Sequence, residues 1–473
     1  MTKTKTSEGR GSRDDRSPHT STTAATMSST TSRPPTPPQK KKKETDDSTK
    51  VAVVDVPRND VLNSSKDLTF QKIVSRKTFD IFNVAEDSSQ YLYPLLFEIV
   101  LGNGRGGFGA IETLGVSRKR LYAALSKAQN TYDNPYLGSF NPYHHALHGA
   151  DVFCTVSGAL AALSPNVVAK TNILSPLALF SIGIAALLHD YRHVGVNNTF
   201  LVNMSHDVAL RYSDDSVLER LHASEALTLL HDFDVLNFLP RSDRIDFRKE
   251  VLGMILATDF SRGLATVKKI QGIFPGLFDV PRNSFDTSSA TVAMGTLNSS
   301  GERTEDKDEH RRQVMRLIVE CSDVSHPSKP LHIHKRWALL VTEEFFDQGD
   351  AEEKAGLPVV DFMSRKKMTN GGSWARSLDG FITYAVMPKW LGLTPLFKNP
   401  TDWTDAITHN IDFWRSESTR PGASFGATWK EVSEKDSAFA KMLKMRPSPW
   451  VARPGGSSCA LPTDRSEEES GVV

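Results

Sequence analysis

At 473 residues and a formal net charge of +1, the chain could hold two or three average domains or one large unit, and its charge gives no reason to expect a nucleic-acid polymer or a membrane surface as a partner. Three cysteines, Cys154, Cys321 and Cys459, are too few and too scattered for a disulfide framework or a thiolate metal site. No cationic segment followed by an apolar stretch opens the sequence, so a secretory signal is not expected, and an intracellular, cytoplasmic location is.

Residues 1–50 are rich in Ser, Thr, Lys and Pro and contain no Phe, Trp or Tyr, so they cannot bury enough apolar surface to offset the entropy of ordering. A disordered tail is predicted there. Its Lys40–Lys43 block reads as a nuclear address, an anionic-lipid contact or a solvated tail, and Pro34–Pro38 as a short polyproline II ligand. Residues 51–77 are transitional, and the folded unit is expected to start near Thr78-Phe79-Asp80-Ile81-Phe82 and to run to residue 446. Beyond it, helical segments alternate with Gly-, Pro- and Asn-bearing turns such as 102–109 and 130–142, with no sustained strand alternation. An all-α domain follows from this pattern. The apolar run Pro176 to Leu188 is shorter than the roughly 20 residues of a spanning helix and reads as a buried core helix. No transmembrane segment is expected. Between 282 and 310 the apolar periodicity is lost in a Ser-, Thr-, Asn- and charge-rich stretch, a loop that either leans over a pocket mouth or is an idle insertion. The 447–473 stretch, with Glu467-Glu468-Glu469, again has the composition of a tail. Oligomeric state is left open.

The apolar run ends in His189-Asp190-Tyr191-Arg192-His193-Val194-Gly195-Val196-Asn197-Asn198. Histidines four residues apart share a helical face, and the carboxylate beside them, at the edge of a core, needs a cation or strong hydrogen bonds. Upstream, Asn141-Pro142-Tyr143-His144-His145-Ala146-Leu147-His148-Gly149-Ala150-Asp151-Val152 repeats the spacing, with His144 and His148 on a helix that the Asn-Pro pair would initiate. Either cluster alone is more simply a polar helix end. Two in one chain point to a metal.

Tyr143 to Val152 resembles the pattern Tyr-His-Asn-x-x-His-Ala-x-Asp-Val, and His189 to Asn198 resembles His-Asp-x-x-His-x-Gly-x-x-Asn, of the class I 3',5'-cyclic-nucleotide phosphodiesterases, an all-helical branch of the HD-type metal phosphohydrolases. The resemblance runs from about Phe79 to about Trp414. It implies that His148, His189, Asp190 and Asp323 hold zinc, that Asp190 bridges to magnesium or manganese, and that a hydroxide between the two ions attacks a cyclic nucleotide, cyclic AMP or cyclic GMP. It implies His144 as general acid to the leaving 3' oxygen, oriented by Glu219. Ser216-x-x-Glu219 also reads as a capping box. His193, His222, Thr258 and Asp259 would fix ligands and water.

On the base side, Tyr143, Val341, Leu378, Phe381 and His326 correspond to substrate-binding positions. Ser377-Leu378-Asp379-Gly380-Phe381-Ile382 resembles Ser-Gln-Val-Gly-Phe-Ile, with leucine where a glutamine would hydrogen-bond the purine. The base would then be held by stacking between Phe381 and an aliphatic such as Val341, with His326 partly compensating. Arg192, Val194, His145 and Gly263 also depart from the pattern. Two rival readings stay open: a weak or inactive relative that binds cyclic nucleotides or partners as a scaffold, and an HD-type hydrolase of another phosphate ester.

Overall fold

The computed structural model describes residues 56–75, 78–88, 90–134, 139–278, 304–368, 372–436 and 439. The Lys40–Lys43 block, Pro34–Pro38, the 447–473 segment and most of the expected 282–310 loop lie outside them. The fold is all-α: among the described residues, extended pairing is confined to Asp133–Asn134 against Ser139–Phe140 and one bridge between Leu163 and Phe397.

The helix Pro176–Leu188 is the axis of the core. Ser175, in extended conformation, precedes it and Pro176 fills its first position, where a missing N–H costs nothing. Every residue from Ala178 to Leu188 is buried, so this helix must be covered on all sides. Phe97 in Leu92–Leu101, Phe153 in Ala146–Ala162 and Phe247 in Arg241–Ile255 do so, with Phe180 5.7 Å from Phe97 and 5.6 Å from Phe247 between ring centroids. Among the described residues no single helix is long and apolar enough to cross a membrane.

Where Ala146–Ala162 meets this axis, a glycine is required. A Cβ on Gly149 would stand 2.4 Å from the Tyr93 hydroxyl and 2.8 Å from the Leu187 carbonyl oxygen. Gly149→Ala is therefore expected to lower stability by about 1–3 kcal/mol, read as a lower denaturant midpoint. An unchanged midpoint would mean that the two helices part without cost.

Two boundaries differ from the sequence expectation. The folded unit begins before Thr78, because Arg58–Asn63 and Phe70–Val74 are helices whose Val61 and Ile73 are buried in the main core. They are tied down by tertiary contacts: Arg58 pairs with buried Glu98 at 2.6 Å, which also takes Arg118 at 2.9 Å and the Tyr122 hydroxyl at 2.5 Å. Arg105 donates to the carbonyls of Leu62, Ser65 and Leu68. Further along, residues 304–310 are not loop but the first turns of the helix Thr304–Asp323. Arg311 pairs with Asp308 at 2.6 Å and Arg312 with Glu309 at 2.9 Å, side-chain spacings that support a helix, and Arg311 also reaches Glu250 at 2.9 Å.

Candidate active site

Four segments far apart in sequence deliver the site. Ala146–Ala162 brings His148 in its first turn, the end of Pro176–Leu188 brings His189 and Asp190, Thr304–Asp323 ends on Asp323, and Leu331–Ala355 presents Glu344.

The two i, i+4 histidine pairs do not share helical faces. Ala146 begins its helix, with the His145 Nδ1 accepting the Leu147 N–H at 3.1 Å as the cap, so His144 lies ahead of the helix. At the other site the helix stops at Leu188 and Arg192 takes a left-handed φ of 64°, which turns the chain before His193. The ligand candidates therefore sit at helix ends, where a buried polar side chain can reach the middle of the molecule.

His148, His189, Asp190 and Asp323 converge, with one ligand atom of each lying within 4.8 Å of the others. His189 Nε2 is 3.0 Å from Asp190 Oδ2 and 3.3 Å from Asp323 Oδ1; His148 Nε2 is 3.4 Å and 3.1 Å from the same two oxygens. Ligand atoms about 2.1 Å from one ion lie roughly 3.0–3.4 Å apart in octahedral or tetrahedral arrangement. The donor chemistry fits a cation as well. His189 Nδ1 donates to the Ala186 carbonyl at 2.9 Å, so in the neutral ring the Nε2 lone pair faces two carboxylate oxygens. Asp190 Oδ2 is buried and accepts no hydrogen bond. Burial opposes charging of His189, but Asp190 and Asp323 outweigh it and hold its pKa well above the ordinary imidazole value. A proton or a metal ion must sit among these groups.

His144 stands beside the cradle, its Nε2 4.0 Å from Asp190 Oδ2. Its partner is not Glu219. Glu344 Oε1 accepts the His144 Nδ1–H, while Oε2 accepts the backbone N–H of Tyr143 at 2.9 Å and of His144 at 3.0 Å. Burial pulls the His144 pKa down, but Glu344, with Asp190 and Asp323, raises it to about 9; Glu344, against its own burial, is lowered by His144 to about 2. The Glu219 carboxylate is instead held by Asn198 Nδ2 at 3.0 Å, and burial pushes its pKa up to about 7. Nor does the capping box form: Ser216 is left-handed at φ 46° and donates to Asp259 Oδ2 at 2.5 Å.

His144, His193 and Glu344 form a second group of possible ligands, but not a metal site. The His144 and His193 rings stack at 3.9 Å and 24°, so their in-plane lone pairs run side by side. Burial, then His144, keeps His193 neutral, and its Nδ1 accepts the Gly195 N–H at 3.0 Å, which leaves Nε2 protonated. It covers one face of the His144 ring. His222 donates from Nδ1 to the Tyr191 carbonyl at 2.9 Å and turns Nε2 toward Asp190 Oδ1, 3.8 Å away; burial lowers its pKa to about 4. Thr258 and Asp259 are occupied locally, Thr258 with the Ile255 carbonyl and Asp259 with Ser216 and the Ser261 N–H.

Asn141, which sequence reasoning assigned only to a helix start, joins the two motifs. Its Nδ2 donates to the carbonyls of His144 at 2.9 Å and His193 at 2.7 Å. Glu344 was missed as well, although it was discoverable. Ile333, Trp337, Leu340, Glu344 and Gln348 follow one another at three or four residues along one helix and are all buried, so an acid falls on an apolar stripe and needs a specific partner.

On the base side, Tyr143 is buried and tilts over His148 at 4.5 Å between centroids. His326 is turned inward: its Nδ1 bonds His334 Nδ1 at 2.8 Å, and His334 Nε2 accepts the Trp414 indole N–H at 2.6 Å. Leu378 is 7% exposed and belongs to the core, while Phe381 is 38% exposed and stacks on Phe260 at 6.0 Å. Val341 is a half-buried side chain packed against that core.

The family model for 3'5'-cyclic nucleotide phosphodiesterase matches residues 143–407, more than half of the chain and every site segment above. The chain belongs to this family. A 3',5'-cyclic-AMP phosphodiesterase (isoform F) of Drosophila melanogaster is 32% identical over 58% of this chain and 38% of its own length. A human dual specificity calcium/calmodulin-dependent 3',5'-cyclic nucleotide phosphodiesterase 1C is 30% identical over 69% of this chain and 40% of its own. The chain thus spans about two-fifths of these curated relatives. The crystal structure of the phosphodiesterase domain of the Salpingoeca rosetta rhodopsin phosphodiesterase has the same fold, with a TM-score of 0.59 at 22% identity, over 79% of this chain and 99% of that one.

Of the departures within the phosphodiesterase motifs, Arg192 adds a cation within the metal motif. It points away, pairing with Glu225 at 2.7 Å on the helix Val217–Asp232, and is 40% exposed there. Arg192→Ala is expected to leave kcat/KM within about twofold and stability within about 1 kcal/mol. A gain in activity of tenfold would show that the guanidinium acts on the site after all.

Proposed function

We propose that this phosphodiesterase-family chain hydrolyses 3',5'-cyclic nucleotides to 5'-nucleotide monophosphates, with His148, His189, Asp190 and Asp323 holding zinc and Asp190 reaching a second ion, magnesium or manganese. The observation that carries this reading is the placement of a Glu344-bound His144 directly against a four-residue cation cradle. The names of the relatives support the substrate class.

The ions, when bound, neutralise phosphate charge and make a water acidic enough to attack near neutral pH. The chain's residues supply the rest. Water oxygen bonds to phosphorus as the bond from phosphorus to the 3' oxygen breaks, and the leaving oxygen needs a proton. His144 carries one on Nε2, since Glu344 accepts the Nδ1–H and favours the charged ring. Glu344 also fixes the ring by holding its backbone N–H. Glu219, held by Asn198 and pushed by burial to a pKa of about 7, is a carboxyl able to exchange a proton near neutral pH. Leu378 offers the base no hydrogen bond, so cyclic AMP and cyclic GMP are both taken.

The test is steady-state hydrolysis by the full chain, with zinc and magnesium supplied, of cyclic AMP, cyclic GMP and bis(p-nitrophenyl) phosphate. Cleavage of both cyclic purines, well ahead of the aryl ester, is expected. Cleavage of the aryl ester alone would favour a different phosphate ester, and no cleavage by metal-loaded protein would favour a scaffold.

A further inference from the structure

Two aromatic rings stand exposed beside the base-side helix. Phe260 is 46% exposed and Phe381 38%, and they stack at 6.0 Å with 29° between their planes. An exposed phenylalanine forgoes the gain of burial, and these two nonetheless lie against each other.

Phe260 is fastened at its root and at its ring. Asp259 caps the short turn Phe260–Arg262 by accepting the Ser261 N–H at 2.9 Å, and it also accepts the Ser216 hydroxyl at 2.5 Å, to which Arg262 donates at 2.9 Å. Over the ring, 5.2 Å from its centroid, lies the ammonium of Lys389. Lys389 is buried and donates to Glu320 Oε2 at 3.1 Å, while Glu320 Oε1 accepts the Thr266 hydroxyl. A cation so far removed from water holds an aromatic face more firmly than an exposed one. Glu320 lies on the helix that ends in Asp323, so the Phe260 ring and a metal ligand are referred to one rigid element.

Phe381 has its own anchorage. Immediately after it the helix widens into a π turn, Ile382–Val386, whose Ile382 and Val386 are buried. Phe381 is left outside while Leu378 and Ile382 on either side of it stay in the core. Leu378 is sunk in that core, and Asp379 is committed to Thr383 at 3.1 Å and Arg415 at 3.1 Å.

We propose that Phe260 is a positioning residue for the nucleobase, setting the plane of Phe381 so that an aromatic pair, rather than a hydrogen bond to the base edge, holds the purine. This rests on the cyclic-nucleotide reading above. Stacking tolerates either purine because both present a π face, which matches the loss of a polar side chain at Leu378.

The test uses the full chain, with Phe260→Ala, Phe260→Leu and Phe260→Trp assayed on cyclic AMP, cyclic GMP and a 3',5'-cyclic ribose phosphate without a base. Phe260→Ala is expected to raise KM for both nucleotides about 5- to 50-fold with kcat within about threefold, and to leave the baseless phosphate unaffected. Phe260→Leu keeps most of the defect, since it restores apolar volume but no ring, and Phe260→Trp removes most of it. Unchanged KM in Phe260→Ala, or an equal loss on the baseless phosphate, overturns the role of Phe260 while the cyclic-nucleotide reading stands. A wild-type chain that cleaves neither nucleotide overturns both.

Discussion

Replacing His144 by alanine is expected to lower kcat by about 10²- to 10⁴-fold while bound metal stays at the wild-type level. The separation follows from the geometry: the His144 Nε2 is 4.0 Å from Asp190 Oδ2 and its Nδ1 is committed to Glu344, whereas the two cradle imidazoles approach the two cradle carboxylates at 3.0–3.4 Å. Glu344→Gln should lower kcat too, because the amide would no longer favour the imidazolium and would turn an N–H toward the His144 ring or the backbone N–H groups it now accepts. If Glu344 acts through His144, then adding Glu344→Gln to His144→Ala costs little more, less than about fivefold, and the two effects are strongly non-additive. Glu344 is buried, so its loss also lowers thermal stability, and the cycle must be measured below the melting range of the least stable variant. Additive losses would mean that Glu344 serves the reaction independently of the ring. A His144→Ala protein with undiminished kcat would remove the histidine from the chemistry.

The parts of this site that were legible in the sequence are those carried by adjacency. His189 and Asp190 follow an apolar run too short to span a membrane and so read as the end of a core helix, where a charged group needs a partner. Their grouping with Asp323, 134 positions beyond His189, and with His148, itself 175 positions from Asp323, rested on resemblance, since no local pattern encodes it. The helical-face argument for the histidine pairs reached the right residues through a geometry that does not exist. A spacing of four is shared by a helix interior and by a chain leaving a helix, and only the His145 cap and the left-handed Arg192 decide between them. Glu219 was assigned to His144 instead of Asn198 for a related reason. A carboxylate at the start of a helix has several local uses, and which donor reaches it depends on packing; Asn198 reached Glu219, and the Leu331–Ala355 helix placed Glu344 on His144 from 200 positions away. The early helices at 58–63 and 70–74 escaped because five or six residues are too few to show a period, and their stability comes from Glu98 and Arg105 rather than from themselves.

Removing one cradle carboxylate should be more damaging than removing the acid. In Asp323→Ala, His148 and His189 lose the oxygen that stands 3.1 Å and 3.3 Å from them, and the cradle keeps one carboxylate and two imidazoles. In Asp190→Ala it loses the oxygen that links both imidazoles and lies nearest His144. Both variants are expected to retain less than half the wild-type level of bound metal after dialysis and to fall at least about 10³-fold in kcat/KM, since charge neutralisation and water activation go together. The wild-type chain provides the control. Stripped by a chelator, it is expected to lose activity, and restored ions are expected to raise its melting temperature, because a ligand at a thousand times its Kd stabilises the folded state by about 4 kcal/mol. The stripped state is not simply an empty version of the same site: two carboxylates then face each other across imidazoles, and His189 must take up a proton to relieve them, as its raised pKa indicates. Reloading should therefore release protons, measurable in weakly buffered solution, from wild type and from His144→Ala alike, but not from Asp190→Ala. Full metal retention by either aspartate variant would show that the ion is held elsewhere, and the cradle would then be a network of buried ion pairs with no part in hydrolysis.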